Sequence, residues 1–553
     1  MTMFKKTDPN PQLDIFTAPS MQLGSRASKK YSDPNAWHNQ FYSLVTTKIN
    51  EEIFKPLFPE GKKCGRPNAS IRILVAMSAL KEGFGCSDED LFEKCEFDLL
   101  TRKALGMELL TDVTPSIDTY YLFRRRICEY QERTGIDLMQ LCFEQLAGNQ
   151  VRLLKISGKC VRMDSKLIGS NIARQSRYEL IHTTLVKFLK TCTLSDLSPE
   201  QEERAKEYLK EDSSKTVYRS DSDTLQSNLA RIGNFIMEML ATFPATSPAH
   251  DLLQRLFDEQ YAVKDGKAVL RDKKEVKADS LQNPNDPDAT YRAKNDQKVQ
   301  GYVTNITETV EEGKPNIITS VQVETAVFAD CHFLQEAVEN SERVTDSTIE
   351  DLYADGAYQS PDNREFAKNH NAMQLKTGKM QGGCRWELIP HDEDGLTIRE
   401  IATGNTYEAV KAVTKQGSRK RWRIPWNNKT GWRYFEDKDI KAYQLRKQIE
   451  SLPLEEQHKR NNVEAAMFQY SFHTRKGKTR YRGLLKHRMH AYSRCMWMNL
   501  RRMVIFQIST FQRSIFALFG PIREAFGSFK AISRKIFTSG ADCYVSLRMT
   551  TLV

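Results

Sequence analysis

Three carboxylates stand where they could hold hard metal ions. Asp164 lies inside the apolar run CVRMDSKLIG, which reads as a strand. Asp355 falls where the run LYADGAY leaves its strand, beside Gly356, which lets backbone or ligand approach closely. Glu464 lies in NNVEAAMFQY, which reads as a late helix. Such acids suit phosphodiester chemistry, in which two Mg²⁺ ions about 4 Å apart are clamped by a few carboxylates and activate the attacking and leaving oxygens. Taken singly, a strand aspartate is equally a turn former or a salt-bridge partner. Their order along the chain joins them: a strand, a hairpin, a helix, a second strand, then a late helix.

Other chemistries find less support. No G-x-S-x-G elbow occurs, and His182, His332 and His473 have no triad-like company. Eleven cysteines are scattered without a C-x-x-C pair or Cys/His metal spacing, which argues against a zinc module and for a reducing, cytoplasmic compartment. No run of 18 apolar residues occurs, so no membrane partner is expected, and the start MTMFKKTDPNPQLDIF lacks the apolar stretch of a secretory signal.

The balance of 82 Lys and Arg against 71 Asp and Glu, a formal charge of +11, suits a polyanionic partner. Basic residues cluster in YYLFRRRICEY, with Arg124, Arg125 and Arg126, and in RKGKTRYRGLLKHR, with Arg475, Lys476, Lys478, Arg480 and Arg482 around Tyr481. The first cluster could face a DNA groove or form a solvated helix face. The second fits a phosphate track with an interleaved aromatic, against the alternative of a solvated loop. SRKRWR at 418–423, with Trp426 and Trp432, is a similar mixture.

The elements that must position these groups follow from periodicity. Residues 1–35 are polar and proline-bearing and read as a loose leader. From 36 to 150 the pattern is helical, over Ala36–Phe54, Ser70–Gly83 and Leu91–Phe97, the last behind a Ser87 cap. A further helix should open at Thr114-Pro115. Strands are expected over Gly158–Leu167, Val299–Thr307, Asn316–Glu324, Thr348–Ala354 and Ala372–Leu375, and helices over 331–341 and 361–370. Between them lies a long helical stretch, 170 to 260, whose Leu225, Leu229, Ile232, Ile236, Met239 and Leu240 form an amphipathic stripe, then a turn-rich loop at 279–290. Residues 383–440 read as mainly β, Glu455–Tyr470 as helix, and a last helix should run to about 517.

MDSKLIGSNIA, DPDATYR with GYVTNITET, YADGAYQSP and RNNVEAAMFQYSF resemble, in that order, the catalytic segments of bacterial insertion-sequence transposases of the DDE type. The resemblance is nearest to the group with a helical N-terminal domain and a long insert after the first aspartate, and spans residues 36–505. It implies an α/β fold with an RNase H-like mixed sheet flanked by helices. The divisions would be a leader (1–35), a helical DNA-binding domain (36–150), a catalytic domain (151–510) with a helical insertion at 170–285 and a β-rich one at 380–440, and a tail (511–553).

It further implies that Asp164, Asp355 and Glu464 bind two Mg²⁺ or Mn²⁺ ions, with Arg460, one helical turn before Glu464, on a phosphate or orienting the glutamate. The partners would be double-stranded DNA, as the element's terminal inverted repeats and as target, and a second copy of the chain in a homodimer on DNA. Two positions depart from the pattern: Gln457 stands where a tyrosine is often found, and Ser471 where a lysine is. An RNase H-like nuclease without joining activity, or an inactive DNA-binding regulator, are the rival expectations.

Overall fold

A mixed sheet lies at the centre of the chain, seen in a computed structural model. It describes residues 4–7, 18–58, 67–245, 247–294, 297–377, 384–391, 395–412, 421–426, 431–451, 453, 459 and 463–525. Thirteen strands are described. In chain order they are β1 (Cys160–Gly169), β2 (Tyr261–Lys264), β3 (Lys267–Leu270), β4 (Thr290–Lys294), β5 (Gln297–Thr309), β6 (Ile318–Thr325), β7 (Asp351–Ala354), β8 (Gln374–Thr377), β9 (Trp386–Pro390), β10 (Leu396–Glu400), β11 (Thr406–Ala412), β12 (Arg421–Trp426) and β13 (Gly431–Glu436). The central order is β6-β5-β1-β7-β8, with β4 extending β5 as a hairpin.

β1, β5 and β6 run antiparallel, while β7 and β8 are parallel to β1. Parallel pairing demands crossovers, and the helices Leu334–Thr345 and Pro361–Asn369 supply them. Alternation along β1 then sorts its side chains. Val161 and Met163 join Val303, Leu352 and Ala354 under the crossover helix residues Leu334, Ala337 and Val338. On the opposite face Ile168, Tyr302, Ile306 and Val321 pack against Met467, Tyr470, Met489, Tyr492 and Met496.

The second face also takes in the N-terminal helices. Phe41, Leu74, Met77, Leu80, Phe123 and Phe143 belong to the same continuous core as that sheet face, so the helical block does not close over a core of its own. Helix Ile71–Phe84 starts with the Ser70 side chain accepting the Ile73 N–H, and helix Asp88–Phe97 with a reciprocal Ser87–Asp90 capping box. Two expectations change here. The segment 36–54 is not one helix: Trp37–Leu44 stops at Val45 (φ −121°, ψ −68°), and 3₁₀ turns follow at Thr46–Lys48 and Glu51–Leu57, the latter containing Pro56. The arginine-bearing helix begins at Ile117 under a Ser116 cap, leaving Pro115 outside it.

The described part of the leader is packed rather than loose. Thr7 bonds to Glu51 through both its N–H and its hydroxyl, Phe4 lies 5.7 Å from Phe58, and helices span Pro19–Gln22 and Ser25–Tyr31.

Both insertions carry their own cores. In the first, helices Arg177–Leu189, Pro199–Lys210, Ser222–Thr242 and Pro248–Gln260 bury Ile181, Leu185, Phe235, Ile236 and Leu253 together. The expected amphipathic stripe forms part of this cluster, while the β2–β3 hairpin and strand β4 were not anticipated. The second is the meander β9-β10-β11-β12-β13, backed by helix Asp437–Glu450 through Ile440 and Tyr443. Helices Val463–Ser471 and Leu484–Ala525 follow; the last passes the expected end near 517, and residues 526–553 lie outside the described residues. No described helix is long and apolar enough to cross a membrane.

Candidate active site

Asp164 and Asp355 are brought together by the parallel pairing of β1 and β7. The register runs Cys160 with Asp351, Val161 with Leu352 and Arg162 with Tyr353, so two further steps bring Asp355 level with Asp164. Asp355 ends the strand by accepting the Gly356 N–H at 2.7 Å, opening the 3₁₀ turn Gly356–Tyr358. Asp164 accepts the Ser165 N–H at 2.8 Å. β1 is buried on either side, at Val161–Met163 and Ile168–Gly169, and only half-buried over Asp164–Leu167. The central strand therefore opens toward solvent where the carboxylate sits.

Burial raises the Asp164 carboxyl to about 6, the nearby charge of Asp355 adds to the rise, and the Ser165 N–H opposes it. Two half-buried carboxylates that repel one another are a donor set fit for a hard divalent cation, which Mg²⁺ chemistry satisfies with one or two carboxylates plus water and phosphate oxygens. Among the described residues no group of three His, Cys, Asp or Glu gathers as a metal site, so Glu464 is not drawn into a trio with the aspartates.

Glu464 is exposed in the first turn of helix Val463–Ser471, whose buried stripe is Val463, Ala466, Met467 and Tyr470. That helix is tied to β1 on the Asp164 face. Arg162 donates to the Lys459 carbonyl at 2.9 Å, and Lys166 donates to the Ser471 hydroxyl at 2.7 Å and the Met467 carbonyl at 3.5 Å. Arg162 also pairs with buried Glu308 at 2.5 Å, and Glu308 with Arg502 at 2.6 Å, locking β1 and β5 to the last helix. Arg460 and Gln457 lie outside the described residues.

Beneath the pair, the buried Tyr358 hydroxyl donates to Asn305 at 2.7 Å, and Asn305 donates to Gln322 at 2.8 Å. Tyr358 thus fixes the turn after Asp355 to the strand beside Asp164. Neither Lys166 nor Tyr358 was singled out from the sequence. The signal for Lys166 was the two-residue period of D-S-K, which puts it on the Asp164 face; Tyr358 had no local signal.

The basic residues divide by what they touch. Arg124 lies between the rings of Tyr120 and Tyr481, at 5.4 and 5.0 Å. Arg126 lies over Phe58, and Arg125 faces solvent beside Glu129. In the loop before the last helix, Lys478 donates to the Ile172 carbonyl at 2.6 Å, Arg482 to Asn171 at 2.7 Å, and Arg480 to Gly85 at 2.6 Å and to Cys86. These three clamp the loop to the exit of β1 and the end of helix Ile71–Phe84. The expected phosphate track is therefore in part a structural clasp, and Arg475 and Lys476 are left exposed at its turn. Behind it, burial opposes ionisation of Glu82, but the charge and hydrogen bond of His490, with Lys81 and the Tyr481 hydroxyl, hold the carboxyl down to about 2.

Comparison with known proteins touches the helical block alone. No curated protein and no solved structure matches the chain. Residues 30–126 match the family model described as Transposase domain (DUF772), which supports a transposase family for this protein.

Proposed function

We propose that this chain is a DNA transposase of the DDE type that cuts the ends of its element and joins them to target DNA at Asp164 and Asp355. The observation that carries the reading is the level placement of these two carboxylates on adjacent parallel strands at the opening of a central sheet. The order β6-β5-β1-β7-β8, three strands antiparallel and two parallel, supports an RNase H-like catalytic domain over 151–510 with its two insertions. The match at 30–126 supports the transposase role from a separate part of the chain.

Glu464 is the proposed third acid. Lys166 of β1 is tied to Ser471 and Met467 of helix Val463–Ser471, which bears Glu464, and Arg162 of β1 reaches the Lys459 carbonyl. Asp164 lies midway between those two β1 residues, and Glu464 lies between Lys459 and Ser471 in sequence. When bound, two Mg²⁺ or Mn²⁺ ions would supply charge neutralisation at the attacking and leaving oxygens.

The residues hold and orient the substrate. Asp164 and Asp355 present oxygens from the central strand and from the turn that ends its neighbour, and Arg460, four residues before Glu464 in sequence, is the proposed phosphate contact. Arg125, Arg475 and Lys476 have the exposure that DNA contact requires. In the first step a P–O bond to water forms as the bond to the 3′ oxygen breaks, releasing a 3′-hydroxyl. In the second, that hydroxyl forms a bond to a target phosphorus as the target's own 3′ oxygen leaves. Paired processing of two ends calls for a homodimer on DNA.

The test uses the full chain, Mg²⁺ and a linear duplex covering the DNA that flanks its coding sequence. Asp164→Asn and Asp355→Asn should each abolish cleavage, by 10³-fold in order of magnitude for a lost metal ligand, while retaining binding in a gel shift. Cleavage persisting in Asp164→Asn would overturn the assignment. Cleavage without joining of a pre-cut 3′ end would make the protein a nuclease instead.

A further inference from the structure

Among the half-buried lysines, Lys103 and Lys376 each meet a carboxylate, those of Glu108 and Asp351, while Lys314 and Lys478 bond to the Leu154 and Ile172 carbonyls. Lys166 is of the second kind. The Lys166 ammonium meets two neutral oxygens, the Ser471 hydroxyl and the Met467 carbonyl, and among the described residues no acid lies in ion-pair range. The charge of Asp164 acts on it, but no ion pair ties up its donors, which leaves the ammonium room for another role.

Its position says what that is. Asp164 and Lys166 alternate onto one face of β1, opposite Ile306 and Thr304 of β5, about 7 Å apart along the strand. Both lie in the stretch where β1 opens toward solvent. A substrate strand whose reacting phosphate sits at Asp164 and Asp355 would carry a neighbouring phosphate past Lys166. The ammonium has three donors and two neutral acceptors at hand, so one can turn to a phosphate oxygen without breaking the tie to Ser471.

We infer that Lys166 is a substrate-binding residue that holds the DNA backbone one phosphate away from the reacting centre, delivered on the same strand as Asp164. This rests on the catalytic reading of Asp164 and Asp355. The alternative is a purely structural tether between β1 and helix Val463–Ser471.

The probe is a fluorescein-labelled duplex covering the DNA that flanks the coding sequence, bound by the full chain in chelator across a salt series. One lost phosphate contact makes the slope of log K against log salt shallower by about 0.9. Lys166→Met should show that change and Lys166→Arg should keep the wild-type slope. Ser471→Ala, which removes the tether and not the charge, should also keep it. An unchanged slope in Lys166→Met overturns the inference.

A second readout needs no variant: DNA should shield Lys166 of the wild-type chain from acetylation, and equal acetylation with and without DNA overturns the inference even where Lys166→Met does not fold. Asp164→Asn separates the two readings. If it is inactive while the Lys166→Met slope is unchanged, the lysine inference alone fails. If it still cleaves, the catalytic reading fails whatever the slope.

Discussion

Asp164 carries a measurable signature of its surroundings. Its carboxyl is raised to about 6 by burial and by Asp355, above the usual carboxylate value. An acid raised on folding favours the native state at low pH, where both states are protonated or the native state alone holds the proton. That advantage is lost as pH rises through about 4 to 6, and above that window the metal-free protein bears a penalty of about 3 kcal/mol. Asp164→Asn removes the ionising group. In chelator at pH 8 it should melt several degrees above the wild type, with the gap closing near pH 4. Mg²⁺ should raise the wild type and not the variant. A variant no more stable than wild type at pH 8 would mean that burial and Asp355 do not raise the Asp164 carboxyl.

At the level of elements, one small residue decides how closely two helices meet. Gly83, near the end of helix Ile71–Phe84, faces Trp497 of the last helix so tightly that a Cβ would come within 2.3 Å of its ring. Trp497 cannot retreat, because Trp37, Phe41 and Phe84 surround it with ring centroids at 5.4–6.2 Å. Exchanging glycine for alanine inside a helix ordinarily stabilises by roughly 0.5–1 kcal/mol. Here overpacking, about 1–3 kcal/mol, should win. Gly83→Ala is expected to lower the urea midpoint without changing the slope of the transition, and a rise in midpoint would show that the helices have room to part. The same contact carries the Glu82–His490 ion pair and the Arg480 clasp, which join the helical block to the loop before the last helix.

On the scale of the whole molecule, the described residues form a core on each face of the central sheet, the larger one shared with the N-terminal helices, and two annexes. Leu74, Met77 and Phe143 from the N-terminal helices share their cluster with Tyr302, Ile306 and Met496, 159 to 422 residues away in sequence. The helical insertion buries Ile181, Phe235, Ile236 and Leu253 among themselves, and Asn283 closes its base by donating to the Ala173 carbonyl at 3.1 Å. A fragment spanning 173–284 should therefore show helical circular dichroism and a cooperative melt, since its apolar surface is covered from within. A fragment of 36–150 should not, because the sheet covers its core. The opposite pair of results would show that the shared core is dispensable.

Much of this was legible in the residues alone. Apolar, strand-like runs marked β1, β5 and β6, and the Ser87 cap marked its helix, because these patterns depend on near neighbours and on which side chains avoid water. The acids could be placed at strand and helix positions for the same reason. Local pattern also misled: Pro115 looked like a helix start although Ser116 holds the cap, and the run of Lys and Arg from Arg475 to Arg482 looked free although Lys478, Arg480 and Arg482 are bound to carbonyls.

Only the tertiary structure decided that β7 lies parallel to β1 in the register that levels Asp355 with Asp164. It alone showed that Lys166 meets Ser471 from 305 residues away, and that the helical block shares its core with the sheet. Each of these depends on pairing between distant segments. Such pairing is set by the total burial of two faces and by the satisfaction of backbone and charged groups across the gap. No window of adjacent residues contains that sum.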